Sequence, residues 1–380
     1  MDSITLNELT LYNFRNFQYQ KLDDLGHLNI ILGPNAVGKT NIIEAISLLG
    51  SAVSIRKNNL IHLILNDKEN AKIQGRLQGK SRVIDLSVEI SPESKKYYMN
   101  SKPKKLIDIK DIFLYVSFIP EDLQIIKGGS SQRRKIIDKL GSQISKSYYT
   151  VLKDYEKIVQ YKSHLLKNSN NLNYLESVNS ILAKVGTRLY FLRGALFRKL
   201  IIKAEDFYKA ITQENISINY QYIPSYIAIN YKSSGYDLSR YTEGAEENVT
   251  AEALYEGELL AQIAKYTQDE QRRKRVLVGP HQDVIELYIN YKNAKIYASQ
   301  GQQRSLVLAI KLAEKAILTE KFKKEPVLLF DDVLSELDPL RTKYLSNTLN
   351  GSSQSFITTT DLSFIDNKII KTANIINLTK

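Results

Sequence analysis

Residues 33–40, Gly33-Pro34-Asn35-Ala36-Val37-Gly38-Lys39-Thr40, follow the pattern G-x-x-x-x-G-K-T, whose chemistry is the cradling of a polyphosphate. Gly33 and Gly38 let the backbone curl so that its N–H groups point inward at phosphate oxygens. Lys39 is placed to reach the terminal phosphates, and the Thr40 hydroxyl to sit on Mg²⁺. Nucleotide contacts are assigned to this whole run and to Asn41 behind it. The matching acids stand far downstream, in Val327-Leu328-Leu329-Phe330-Asp331-Asp332. Four apolar residues ending in two carboxylates suit a buried strand that delivers Asp331 to Mg²⁺, through water, and Asp332 to the attacking water.

These residues need particular elements to hold them. Leu28-Asn29-Ile30-Ile31-Leu32 reads as a buried strand before the loop. Ile42, Ile43, Ala45, Ile46, Leu48 and Leu49 give the apolar side of a helix after it, and the positive end of that helix favours an anion. Ligands in such sheets bind at the carboxyl edge of the strands. After the acid pair come Ser335-Glu336-Leu337-Asp338-Pro339, where the proline can start a helix.

A third stretch, Ala298-Ser299-Gln300-Gly301-Gln302-Gln303-Arg304, leads into a helix carrying Leu308, Ala309, Leu312, Ala313, Ala316 and Ile317. Ser299 can cap that helix. A serine hydroxyl with helix-terminal N–H groups is also a receptor for a terminal phosphate. Set between a phosphate loop and an acid-tipped strand, it resembles the signature motif of the ATP-binding cassette (ABC) superfamily. That resemblance implies a head-to-head homodimer with two sandwiched ATP molecules, Ser299 and Gln302 of one copy touching the nucleotide held by Lys39 of the other.

The 380 residues can bury a sizeable core, in one large or two modest domains. A chain without cysteine has no disulfides and no thiol-ligated zinc. The start lacks a basic region followed by an apolar stretch, and no apolar run is long enough to cross a bilayer; the expectation is a cytoplasmic protein without a membrane partner. The formal charge of +12, from 53 basic and 41 acidic residues, suits a polyanionic partner, or equally a lysine-rich proteome.

Other segments read as follows. Residues 3–20 form a strand pair holding Asn13-Phe14-Arg15-Asn16-Phe17, in which Arg15 is either a contact to nucleotide phosphate or a surface arginine. Lys72–Leu77 and Arg82–Ile90 alternate as antiparallel strands. Lys95, Lys96, Lys102, Lys104 and Lys105 mark a basic hairpin tip or a solvated loop. The strand Leu114–Ile119 ends in Pro120-Glu121-Asp122-Leu123, where Glu121 and Asp122 are candidates either to place Mg²⁺ or water or to favour a helix dipole. From about 131 to 212 the pattern is long and helical, broken at Asn168-Ser169-Asn170-Asn171. A strand and irregular loop over 216–240 and a helix over Ala251–Lys265 precede the cluster Arg272-Arg273-Lys274-Arg275 and Gly279-Pro280-His281.

The motifs named so far, together with Lys127-Gly128, Arg133-Arg134 and Thr358-Thr359-Thr360-Asp361, are collinear with those of the RecF family and span nearly the whole chain. The chain therefore resembles the bacterial RecF-type repair ATPases, relatives of the SMC and Rad50 heads without their long arms. The resemblance implies an α/β fold: an ABC-type ATPase lobe with an inserted helical second lobe. The expected division is 1–130 and 271–380 for the ATPase lobe and 131–270 for lobe II. It implies ATP and Mg²⁺ as cofactors and slow hydrolysis that uses Lys39, Asp332 and Ser299. It assigns Ser335, Glu336 and Asp338 to the loop facing the partner nucleotide. It implies binding to double-stranded DNA near gaps or junctions, partnership with RecR and RecO in loading RecA, and a place in the SOS response. In two places the chain departs from cassette or family patterns. Gly279-Pro280-His281 continues Gln282-Asp283-Val284 instead of arginine and two aspartates, so that loop is given no catalytic role. Thr358-Thr359-Thr360 stands where transporter cassettes carry a switch histidine, putting a hydroxyl near the terminal phosphate. The alternative reading is the ATPase subunit of an ABC transporter, against which stand the helical insert, the form of the signature and the missing histidine.

Overall fold

The computed structural model describes residues 4–50, 59–80, 82–168, 174–227, 249–334, 339–349 and 351–379. Ser335, Glu336 and Asp338 therefore lie outside the described residues, as do residues 169–171 of the polar break and residues 228–240 of the irregular loop. The chain divides into two compact units, Met1–Asp122 with Phe207–Gln213 and Leu308–Lys380, and Leu123–Asp206 with Glu214–Val307.

The first unit holds two sheets. One is antiparallel: β1 (Thr5–Phe14), β2 (Phe17–Leu22), β4 (Ala71–Gln78), β5 (Val83–Ile90), β6 (Lys95–Met99) and β7 (Lys102–Lys104), in the order β2-β1-β4-β5-β6-β7. Its strands alternate as a sheet with one covered face must, β4 burying Ala71, Ile73, Gly75 and Leu77. The basic stretch near residue 100 is a hairpin. Asn100 and Ser101 both take positive φ, 49° and 64°, which is what a tight two-residue turn requires.

The other sheet is parallel: β3 (Leu28–Leu32), β8 (Tyr115–Phe118), β12 (Val327–Asp331), β13 (Ser355–Thr359) and β14 (Asn374–Asn377), in the order β14-β3-β13-β12-β8. Every residue of β8, β12 and β13 is buried. A parallel sheet is covered on both faces, which suits the apolar run Val327–Phe330 of β12. The loop strand β3 and the acid strand β12 are not neighbours; β13 lies between them.

The helix Lys39–Gly50 packs with both sheets. Ile42 through Gly50 are all buried, Glu44 included, and one continuous core joins Ile42, Ile46 and Leu49 to Leu6, Leu9 and Ile73 of the antiparallel sheet and to Ile31, Leu329 and Phe356 of the parallel one. A helix apolar on all sides belongs inside such a sandwich. Gly75 permits the close approach, because a Cβ there would stand 2.5 Å from Leu49 Cδ1.

The second unit is mostly helical, with helices Ser130–Ile144, Lys146–Lys167, Leu175–Thr212 (its last turns counted in the first unit) and Val249–Arg273. Its small sheet pairs β9 (Ile218–Ile223), β10 (Val284–Ile289) and β11 (Lys292–Asn293). Residues 271–307, expected with the ATPase lobe, group here. The cause is local: β10 pairs with β9 along its whole length, and Arg133 Nε donates to the Ile285 carbonyl at 2.6 Å. A buried ion pair, Lys162 Nζ to Glu270 Oε2 at 2.6 Å, ties the Lys146–Lys167 helix to the Val249–Arg273 helix. The same carboxylate accepts Leu277 N–H at 2.8 Å, so both of its oxygens have work that offsets the cost of burying it.

Candidate nucleotide site

The loop 33–40 leaves the carboxyl end of β3 and runs into the helix Lys39–Gly50. Gly38 sits at φ +113°, and a Cβ on it would stand 2.5 Å from the Phe17 ring; glycine is required there on both counts. At Gly33 a Cβ would meet the Leu378 carbonyl oxygen at 2.8 Å. Ala36 also takes a left-handed backbone, φ 65°. Asn16, in the turn between β1 and β2, braces the loop from outside. Its Nδ2 donates to the Val37 carbonyl at 3.0 Å and its Oδ1 accepts from Asn41 Nδ2 at 2.8 Å. The Val37 carbonyl is thereby committed to Asn16. Nothing in the sequence marked Asn16 apart from its place in the Asn-Phe-Arg-Asn-Phe run.

Lys39 lies folded against the loop. Its Nζ donates to the carbonyls of Gly33 at 2.7 Å and Pro34 at 2.9 Å. Burial lowers its pKa, and the charges of Asp332 and Asp331 oppose that shift. A cation short of hydration and held by carbonyls has strong reason to exchange them for anionic oxygen.

Across β13 the acids arrive as expected at the end of β12. Thr40 Oγ1 donates to Asp331 Oδ1 at 2.9 Å. Residues 291 apart in sequence thus meet, and a hydroxyl beside a carboxylate is the hard-oxygen set that suits Mg²⁺, which takes one or two protein ligands and completes its shell with phosphate and water. Thr40 and Asp331 would hold that ion, which supplies charge neutralisation to a bound triphosphate. Asp332 is half-buried, at φ 52°.

Arg15 is paired inside the first unit. Its Nε and Nη2 form a fork onto Glu44 at 2.8 and 2.9 Å, and its Nη1 donates to the His62 carbonyl at 2.7 Å. The guanidinium is 14% exposed and Glu44 fully buried, so it is not a surface arginine. Its fork answers a carboxylate inside the helix that follows the loop, and Arg15 bears on the site through that helix. Asp122 turns to structural work as well, accepting from Ile119 N–H at 2.9 Å and lying 4.0 Å from buried Lys311 Nζ. Glu121 is exposed at the surface. Of the three threonines after β13's apolar residues, Thr358 and Thr359 are buried and Thr360 is exposed. The Thr358 hydroxyl is bonded to Asp331 and to the Asp332 backbone.

Ser299 and Gln302 belong to the second unit. They form a reciprocal cap on the helix Gln300–Phe322: Gln302 N–H donates to Ser299 Oγ at 3.2 Å, and Ser299 N–H to Gln302 Oε1 at 3.0 Å. Buried Gln303 fastens the turn beneath by donating to the Ala298 carbonyl at 3.1 Å. Ser299 itself is exposed.

The Gly279-Pro280-His281 loop is interior to the second unit. Gly279, at φ +135°, lets Tyr155 Oη approach to hydrogen-bond His281 Nδ1 at 2.7 Å. Arg193 pairs with Asp138 and donates to the Pro280 carbonyl at 2.7 Å, and Arg134 donates to the Asp283 carbonyl. Burial pushes His281 down to about 4 and Asp283 up to about 6. Between pH 4 and 6.5 the unfolded histidine binds more protons than the folded one, so its contribution to stability grows as pH rises. The unfolded aspartate binds fewer between 4 and 6, so its contribution shrinks, and the two slopes nearly cancel. Asp283→Asn should unmask the histidine: relative to the parent, its unfolding free energy should climb by about 2–3 kcal/mol from pH 4 to 6.5. Urea melts across that range test it, and parallel pH profiles of parent and variant would reject the assignment.

Residues 5–377 match the family described as RecF/RecN/SMC N terminal domain. Over 98% of its length the chain is 34% identical to the DNA replication and repair protein RecF of Bacillus thuringiensis (strain Al Hakam), 96% of which is covered, and to the same degree to that of Bacillus cereus (strain AH187). The chain belongs to the RecF family. Its fold is similar to the solved structures of the recombination mediator protein RecF-ATPrS and RecF-ATP in the RecFOR pathway, with TM-scores of 0.83 and 0.81 at 32% identity. These alignments cover 96% of this chain and 95% and 96% of those. Family and fold together make the α/β architecture an ABC-type ATPase of the RecF/SMC kind, and the transporter alternative loses its footing. Among the described residues no helix is long and apolar enough to cross a membrane.

Proposed function

We propose that this RecF-family chain is an ATP-switched DNA replication and repair protein. The observation that carries the reading is the meeting of Thr40 and Asp331 beside a loop whose lysine is held by the Gly33 and Pro34 carbonyls. In this reading the loop from Gly33 to Thr40, with Asn41, binds the triphosphate. Lys39 leaves its two carbonyls for the β- and γ-phosphates, and Thr40 and Asp331 share Mg²⁺. Asp332 orients and deprotonates the attacking water. Hydrolysis is slow, and its use is to end a bound state. Ser299 and Gln302 exchange their mutual cap for the γ-phosphate held by a second copy, which makes ATP the glue of a homodimer. For this role 1–130 and 271–380 act as the ATPase lobe and 131–270 as lobe II, although the compact units part at 122 and 307. The dimer binds duplex DNA near single-strand gaps and works with RecO and RecR to load RecA, in the cytoplasm, during gap repair and the SOS response.

The charge of +12 supports a polyanionic partner. The test is binding to duplex, gapped and single-stranded DNA with ATP, with ADP and without nucleotide. ATP should tighten duplex and gapped binding by at least tenfold. Affinity should fall steeply with salt, log K losing about 0.9 per phosphate contact for each decade of salt. Equal binding in all three nucleotide states would remove the switch from the proposal, and no DNA binding at all would remove the partner.

A further inference from the structure

Thr358 stands near the carboxyl end of β13, the strand between the loop strand and the acid strand, and its side chain is 1% exposed. Its hydroxyl is used in both senses. It donates to Asp331 Oδ1 at 2.8 Å and accepts from Asp332 N–H at 3.0 Å. One side chain therefore grips the carboxylate of the first acid and the backbone of the second.

We propose that Thr358 is a positioning residue for both acids, fixing the orientation of the Asp331 carboxylate and the left-handed turn at Asp332. The proposal rests on the ATPase reading above. Asp331 Oδ1 has two hydroxyl donors, Thr40 at 2.9 Å and Thr358 at 2.8 Å. Thr40 is the residue that would share Mg²⁺ with Asp331, so its hydrogen bond is the one that metal binding must redirect. Thr358 belongs to the neighbouring strand, paired in register with Asp331, and not to the loop or its helix. It is the donor that stays, and it holds the carboxylate while the other donor is reassigned. The second grip matters for a different reason. Asp332 takes φ 52°, a conformation uncommon outside glycine, asparagine and aspartate, and such backbones persist where their surroundings hold them. The Thr358 oxygen is a fixed acceptor for the N–H of that turn. Second-layer hydrogen bonds of this kind orient metal ligands, and their loss costs about 10–100-fold in metal affinity or activity.

Thr358→Val keeps the shape and removes both bonds; Thr358→Ser keeps both. The affinity for a fluorescent ADP is measured with Mg²⁺ and with EDTA, beside turnover and the melting temperature of the nucleotide-free protein. Thr358→Val should lower the Mg²⁺-dependent gain in affinity about tenfold, leave affinity in EDTA as in the parent, and slow turnover about tenfold. Thr358→Ser should restore both. If the valine variant does not fold, Thr358→Ala, which sets less apolar surface against the two acids, carries the same comparison. A valine variant with the parent's Mg²⁺ dependence overturns the proposal, and so does a serine variant as impaired as valine. A loss of equal size in Mg²⁺ and in EDTA also overturns it, since that marks a hydroxyl needed only for general packing. A parent that binds no nucleotide would bring down the ATPase reading itself, a separate outcome.

Discussion

Lys39→Ala should abolish nucleotide binding at concentrations that just saturate the parent, a loss of about 30-fold or more. The side chain is 7% exposed, and burial already lowers its pKa. Among the described residues its ammonium hydrogen-bonds to the Gly33 and Pro34 carbonyls and to no carboxylate. Bound phosphate converts two neutral acceptors into anionic ones, and removing one partner of a desolvated charge pair costs about 2–5 kcal/mol, or roughly 30- to 4,000-fold. The variant also strips the loop of the two bonds that close it over Lys39. Lys39→Met, which keeps most of the stem, separates loss of charge from loss of packing. Titration of both variants with a fluorescent ATP analogue gives the answer; affinity within threefold of the parent would show that the loop holds no phosphate.

Asp332→Asn should leave ATP affinity within about threefold and slow hydrolysis by about 10²–10⁴-fold, the usual worth of a positioned general base. Of the two acids, Asp331 has its Oδ1 engaged by Thr40 and Thr358. Asp332 follows β12 with a left-handed backbone and is half-buried. Asparagine tolerates that backbone as well as aspartate does, so the substitution tests chemistry with little strain. In the proposed dimer the ATP-bound form should persist correspondingly longer, visible by sedimentation after a single addition of ATP. Unchanged single-turnover rates would strike Asp332 from the mechanism.

The strand–loop–helix around Lys39 and the acid-tipped strand were legible because each is a local pattern: an unbroken apolar run, two glycines at fixed spacing, a hydroxyl after a lysine. Ser299 as a helix cap was legible on the same terms, while the return bond to Gln302 was not. What escaped was set by partners distant in sequence. Of the two readings of Arg15, the surface one fails because Glu44 lies on the buried side of a helix whose sequence, Ile42-Ile43-Glu44-Ala45-Ile46, gives no hint that the acid faces inward. The run Thr358-Thr359-Thr360 reads as putting a hydroxyl near the terminal phosphate, and nothing in it marks Thr358 as the partner of Asp331 in β12. Strand order comes from pairing across hundreds of residues, and no periodicity records it. The edge of the compact units at 307 has the same origin, since residues 284–289 are drawn to β9 by ladder hydrogen bonds that their own alternation leaves unspecified.

β14 flanks β3 on the side away from β13, with Asn374 opposite Asn29, 345 positions later in the chain. Leu378 N–H then donates to the Leu32 carbonyl at 2.8 Å, and its own carbonyl walls in Gly33. On a translating ribosome β3 is therefore among the first strands made and among the last to acquire both its neighbours. A nascent chain carrying only the amino-terminal third would present β3 as a bare apolar edge, open to pairing with whatever strand it meets. Yield of native protein should accordingly be more sensitive to how quickly residues 355–378 emerge than to any feature of the phosphate loop itself.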